Sequence, residues 1–247
     1  MIYCSVGAQH EAGCVDTQAE ISWRNAVSEI ASEAYNHICR HGYTKPGCNF
    51  WTSVRQVVSR EDSKRGEWNG GTRMDEIRYP IGEFRAITEV TQEQRDAWIR
   101  AIEEMSSELR LSVEGLTLEQ LSQPYRSGGW TVQQIVHHMA DNDMNSYIRF
   151  KRALTEEQPT ACTYRQDGWA NLADYVETPI ETSITLMECL HSRFVTILRQ
   201  LTPSDFARKF TSPAVGEMTL DVALQRYAWH GQHHIAQIVT LRERMGW

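Results

Sequence analysis

Of the nine histidines in this 247-residue chain, five fall in two groups, His137-His138 and His230/His233/His234. An α-helix advances about 100° per residue, so residues four apart share a face. His230 and His234 form such a pair, and Gln237 and Leu241 continue the same face. Two imidazoles one turn apart can grip a single divalent ion, the helical logic also used by HExxH zinc sites. The glutamate of that motif is missing, because residue 231 is Gly. A base for any reaction must therefore come from elsewhere or from metal-bound water itself.

A third ligand is available on an earlier helix. With Ile135 at the centre of an apolar stripe that also holds Val132, Met139 and Asn142, His138 lies about 60° from the centre and His137 about 160° away. This places His138 inward and His137 outward. Asn142, Asn145 and Arg149 follow His138 as a polar stripe on an otherwise buried side, where unpaired polar groups are costly unless they line a cavity. With Gln237, they are the candidates for handling substrate. Asp141 and Asp143 are candidates for a base, but on helical geometry they flank the site, where the alternative is that they only orient histidines by accepting their N–H groups. His233 lies about 60° off His230, at the edge of the face, and reads as a supporting or interface residue. His10, His37, His41 and His191 read as ordinary hydrogen-bonded or surface histidines.

Four long helical patterns position these residues. The first runs from Thr91 to about Gly115, opened by the capping-box pair Thr91/Gln94 and carrying Trp98, Ile102, Met105, Leu109 and Val113 inward. The second runs from Thr131, again with a glutamine three residues on, to about Leu154. The third covers about Thr182–Leu201 and the fourth begins after Thr219. Residues 155–180 form a long connection with Pro159 and Pro179, and Lys209–Met218 carries a weak hairpin signal. The expected fold is all-α, a four-helix bundle with one long crossover.

The composition changes near residue 73. Residues 1–73 carry no net charge and four of the six cysteines, whereas the whole formal charge of −7 falls on 74–247. Cys4, Cys14, Cys39 and Cys48 invite a zinc module, but no pair sits two to four residues apart, as structural zinc sites require. One helix is expected over about Thr17–His41, followed by a polar, linker-like run. Met74 opens MDEIRYPIGEF, which has the look of a natural start. Residues 1–73 thus read as a poorly structured N-terminal extension, and 74–247 as the metal-binding bundle. The negative charge argues against nucleic acid as a partner. No run reaches the roughly 20 apolar residues of a membrane span, and the N-terminus lacks the features of a secretory signal. An intracellular, soluble protein is expected.

The motifs WTVQQIVHHMAD and HGQHHIAQ resemble those of the DinB-like superfamily of metal-binding four-helix bundles. YPIGE at 79–83, PYRSGGWTV at 124–132, HHMADNDMNSYIRFK at 137–151 and the final RMGW are similar to one branch, the YfiT-type metal-dependent hydrolases related to bacillithiol S-transferases. The similarity spans 74–247 and none of 1–73. It implies His138, His230 and His234 as ligands, one zinc or nickel ion per subunit, and a cytoplasmic homodimer acting on a small molecule. Three neutral imidazoles leave an open coordination position, the pattern of catalytic rather than structural zinc. The reactions in view are hydrolysis by activated water and, alternatively, transfer of a low-molecular-weight thiol such as bacillithiol to an electrophile, with Arg149 and Arg126 binding its carboxylates. A non-catalytic metal-binding stress protein is the third reading.

Overall fold

The computed structural model describes residues 73–247. The expected helix over 17–41 and the rejected zinc module lie outside the described residues. A short helix α1 (Arg73–Arg78) leads through an extended strap into α2 (Gln92–Val113), then α3 (Leu118–Leu121) and α4 (Val132–Thr155). Next come two single turns, α5 (Gln166–Trp169) and α6 (Asp174–Glu177), and the third long helix α7 (Ile180–Leu198). A turn α8 (Pro203–Phe206), a hairpin of β1 (Lys209–Ser212) and β2 (Gly216–Thr219), and α9 (Leu220–Met245) complete the chain. The described residues are thus mostly helical, a four-helix bundle with one two-stranded sheet among them.

The helix starts are built locally. Thr91 accepts a hydrogen bond from the Gln94 amide while the Gln94 side chain accepts from the Thr91 amide, and Thr131/Gln134 repeats this at α4. Each reciprocal pair satisfies two amides that the helix itself leaves free. Thr219 caps α9, whose far end is closed by Gly246 in the left-handed conformation at φ 71°, which glycine adopts without steric penalty.

Packing sets an order that differs from the chain order. α2 packs against α7 and α9, and α4 packs against the same two, so the consecutive helices α2 and α4 lie across the diagonal. Ile135, Phe150, Ile184, Met187 and Leu224 are fully buried between them, each burial favouring the fold by about 1.5–3 kcal/mol. Arg95 of α2 grips Asp221 of α9 with two hydrogen bonds of 2.7 and 2.8 Å. A close approach of α2 and α9 depends on Gly231, because a Cβ there would lie 2.1 Å from the Met105 sulfur.

The long crossover is held down rather than free. Gln134 donates to the Ala170 carbonyl at 2.8 Å, and Gln133 donates to those of Tyr175 and Val176 at 3.0 Å. The weak hairpin signal corresponds to a real β1–β2 pair, with Phe210 opposite Met218. Ala161 donates to the Thr211 carbonyl at 2.8 Å, tying the crossover to the hairpin.

Candidate metal centre

α4 and α9 pack side by side, and their facing positions bring His138, His230 and His234 together. One ring nitrogen from each lies within 4.8 Å of the others. The His230 Nε2 is 3.2 Å from the Nε2 of His138 and 3.2 Å from that of His234. Burial pushes the pKa of each downward: well below 6.5 for His138 and His230, and to about 4 for His234. All three are therefore neutral at pH 7, the state that offers a lone pair to a metal.

The surrounding hydrogen bonds select ring tautomers. Gln237 donates through Nε2 to the Arg78 carbonyl at 2.9 Å, so its Oε1 faces His234 Nδ1 at 2.9 Å. That oxygen accepts the Nδ1 proton and leaves the His234 Nε2 lone pair free. The same Gln237 Nε2 lies 2.9 Å from His233 Nε2, so one amide orients two imidazoles. His138 Nδ1 is buried with no partner among the described residues. The ring of His138 packs against Trp130, with centroids 4.5 Å apart. His230 Nδ1 faces Asn142 Nδ2 at 3.2 Å. The same Asn142 Nδ2 donates to Asp143 Oδ1 at 3.3 Å, so the amide as placed turns its N–H groups to both neighbours; a lone pair on His230 Nε2 requires the ring proton on Nδ1 instead. Three converging neutral imidazoles without a carboxylate suit a borderline divalent ion.

These rings line a cavity of about 430 Å³ whose walls include Arg78, Tyr79, Arg126, Trp130, Gln166, Asp167 and Gln237. Arg126 is held there by Tyr125 Oη at 2.8 Å. Asn145 lies elsewhere: it donates to the Asp141 carbonyl at 2.8 Å and lines a separate small groove with Arg152 and Cys162. Arg149 borders that groove and also a second chamber beside His230.

Two expectations are corrected. His137 does not face outward: it is 4% exposed, 2.7 Å from Ser183 Oγ and 3.2 Å from the Thr178 carbonyl. α4 is covered by α9 on one side and by α7 and α6 on the other, so a single-stripe reading misjudges its second face. Nor do Asp141 and Asp143 orient the three clustered histidines. Asp141 accepts from Tyr175 Oη at 2.5 Å, and Asp143 pairs with the buried His191 at 2.7 Å. His191 is, as expected, a hydrogen-bonded core residue. Trp130 and the strap residues Arg78 and Tyr79 carried no chemical signal in the sequence beyond the family motifs around them.

The DinB superfamily model matches residues 101–238. A relative from Bacillus mycoides, provisionally named a metal-dependent hydrolase, is 46% identical over 174 residues, 70% of this chain and 100% of its own length. A relative of the same provisional name from Bacillus cereus is 47% identical over the same length. Among solved structures, YfiT from Bacillus subtilis, described as a probable metal-dependent hydrolase with an unusual four-helix bundle topology, aligns with a TM-score of 0.68 and 46% identity. That match covers 70% of this chain and 99% of YfiT. The chain belongs to the DinB superfamily and is of the YfiT type.

Proposed function

We propose that residues 74–247 form a metal-dependent hydrolase in which His138, His230 and His234 hold one divalent ion, zinc or nickel, against a small-molecule substrate. The observation that carries this reading is the convergence of three neutral Nε2 atoms on one wall of a 430 Å³ cavity. Such an ion, when bound, supplies Lewis acidity: it lowers the pKa of water to about 7 and polarises a substrate oxygen. Gln237 sets the tautomer of His234, and Trp130 packs against the His138 ring. Arg126, at the cavity wall, is placed to meet negative charge on the substrate. The relatives' provisional names support the same reading. With it goes a cytoplasmic homodimer, as the family resemblance implies.

One observation favours a second reading. Among the described residues Asp167 is the single carboxylate lining the cavity and none touches the three imidazoles, so no side-chain base among them is placed to deprotonate water. A low-molecular-weight thiol is acidic enough to give up its proton to solvent, and the thiolate would then form a bond to the electrophilic carbon as the leaving group departs with its electron pair.

The deciding experiment measures metal content of the purified full chain, then cleavage of an ester and amide panel before and after chelation. A parallel arm follows monochlorobimane conjugation with bacillithiol, glutathione or no thiol. Hydrolysis predicts about one ion per chain and chelator-sensitive cleavage without thiol. Thiol-dependent conjugation would transfer the assignment to the S-transferase. Retained metal with neither activity would leave a metal-binding protein and end the enzyme reading.

A further inference from the structure

Next to the histidine cavity lies a second chamber of about 220 Å³, bounded by α4, the crossover, the hairpin and α9. His230 and Gln166 line both spaces, so the two adjoin at the metal centre. The chamber is cationic. Arg149 and Arg226 line it, and among the described residues no Asp or Glu does. Neither arginine takes part in an ion pair among the described residues. Arg149 donates through Nη2 to the Cys162 carbonyl at 3.2 Å, and its Nε is buried with no partner among the described residues. Arg226 is steadied by the face of Phe84, 5.3 Å from the ring centroid.

The carboxylates on α4 that come near are already engaged, Asp141 by Tyr175 and Asp143 by His191. Tyr164 and Tyr227 also line the chamber, and burial raises the pKa of both phenols, which keeps them as O–H donors. A protein of net charge −7 thus places two guanidinium groups and two phenols around a small space with no carboxylate in its lining among the described residues. A buried N–H on a charged group normally finds an acceptor, and the planar guanidinium fork matches carboxylate and phosphate oxygens.

We infer that this chamber is an anion subsite, in which Arg149 and Arg226 seat a carboxylate or phosphate group of the substrate while its reacting atom lies at the three histidines. The second half rests on the proposed function; anion binding itself does not. The substrate class is accordingly a small molecule with an anionic group at one end, and neutral or cationic analogues are discriminated against at this chamber.

Inorganic phosphate and glutarate, titrated separately into the full chain by calorimetry at low salt, test the inference. Saturable binding to one site is expected for at least one of them, weakened tenfold or more in Arg149→Gln and in Arg226→Gln, with melting curves confirming folded variants. A phosphate preference over glutarate, or the reverse, identifies which anion the chamber takes. On the unmutated protein, the anion that binds should slow phenylglyoxal modification of Arg149 and Arg226, read by mass spectrometry, and leave the exposed Arg100 unaffected. His234→Ala should lose the metal and keep anion binding. If His234→Ala keeps its metal, the metal reading fails while the arginine results stand. Absence of binding by wild type, equal protection of all arginines, or loss of binding in His234→Ala with wild-type binding in both arginine variants would overturn the subsite.

Discussion

His138 and His230 are 92 positions apart in the chain, yet their Nε2 atoms lie 3.2 Å from each other. His137, one residue away from His138, uses both ring nitrogens on Ser183 and the Thr178 carbonyl instead. The two neighbours should therefore respond differently to removal. His230→Ala is expected to reduce stoichiometric metal binding to near zero while leaving a folded chain. His137→Ala should keep the metal and lose about 1–3 kcal/mol of stability, because the buried ring leaves a cavity and half-buried Ser183 loses its partner. Metal content by atomic emission together with urea unfolding separates the two, and equal loss of metal in both variants would refute the assignment.

Gly231 stands where HExxH sites carry glutamate, and it permits α9 to approach Met105. Met105 is 1% exposed, so its side chain has little room to yield to a Cβ 2.1 Å from its sulfur. Gly231→Ala is expected to destabilise by about 1–3 kcal/mol through overpacking. In a Met105→Ala background the same substitution should cost much less, since the cavity left by the thioether accommodates the new methyl. A penalty of the same size in both backgrounds would show that helix contact is not its cause.

Burial lowers the pKa of His233 to about 3 and that of His234 to about 4, with His230 and His138 displaced in the same direction. In the unfolded chain these groups take up protons near pH 6.5. Between the two values the unfolded state binds more protons, so acid favours unfolding. The metal-free protein should hold its full stability above about pH 7 and lose it as the pH falls through 6 toward 4, by roughly 1.4 kcal/mol per unit for each histidine that stays neutral when folded. Urea midpoints measured on chelated protein between pH 4.5 and 8 test this, and a flat profile would contradict it.

Much of the bundle is written in short-range pattern. Thr91/Gln94 and Thr131/Gln134 mark two helix starts because a capping box involves residues only three apart. The His230/His234 pair is readable for the same reason, since one helical turn carries both imidazoles onto one face. His138 is readable because it borders an apolar stripe. Arg226, one turn before His230, could have been found by continuing that face backward.

The second side of α4 was not legible. His137 looks exposed on a helix with one apolar stripe, and becomes buried only when α7 and the crossover cover the opposite face. The chamber around Arg149 and Arg226 has the same origin: its walls come from a helix, a crossover, a hairpin and a last helix far apart in the chain. The amino-acid sequence by itself determined the helices, their caps and the ligand-bearing face of α9, because these depend on neighbours within a turn. Only the tertiary structure decided that α2 and α4 lie diagonally, that Gln237 orients two imidazoles, and that Arg149 and Arg226 line one chamber. Those facts depend on which helix faces cover one another, and packing among four helices settles that rather than any local period.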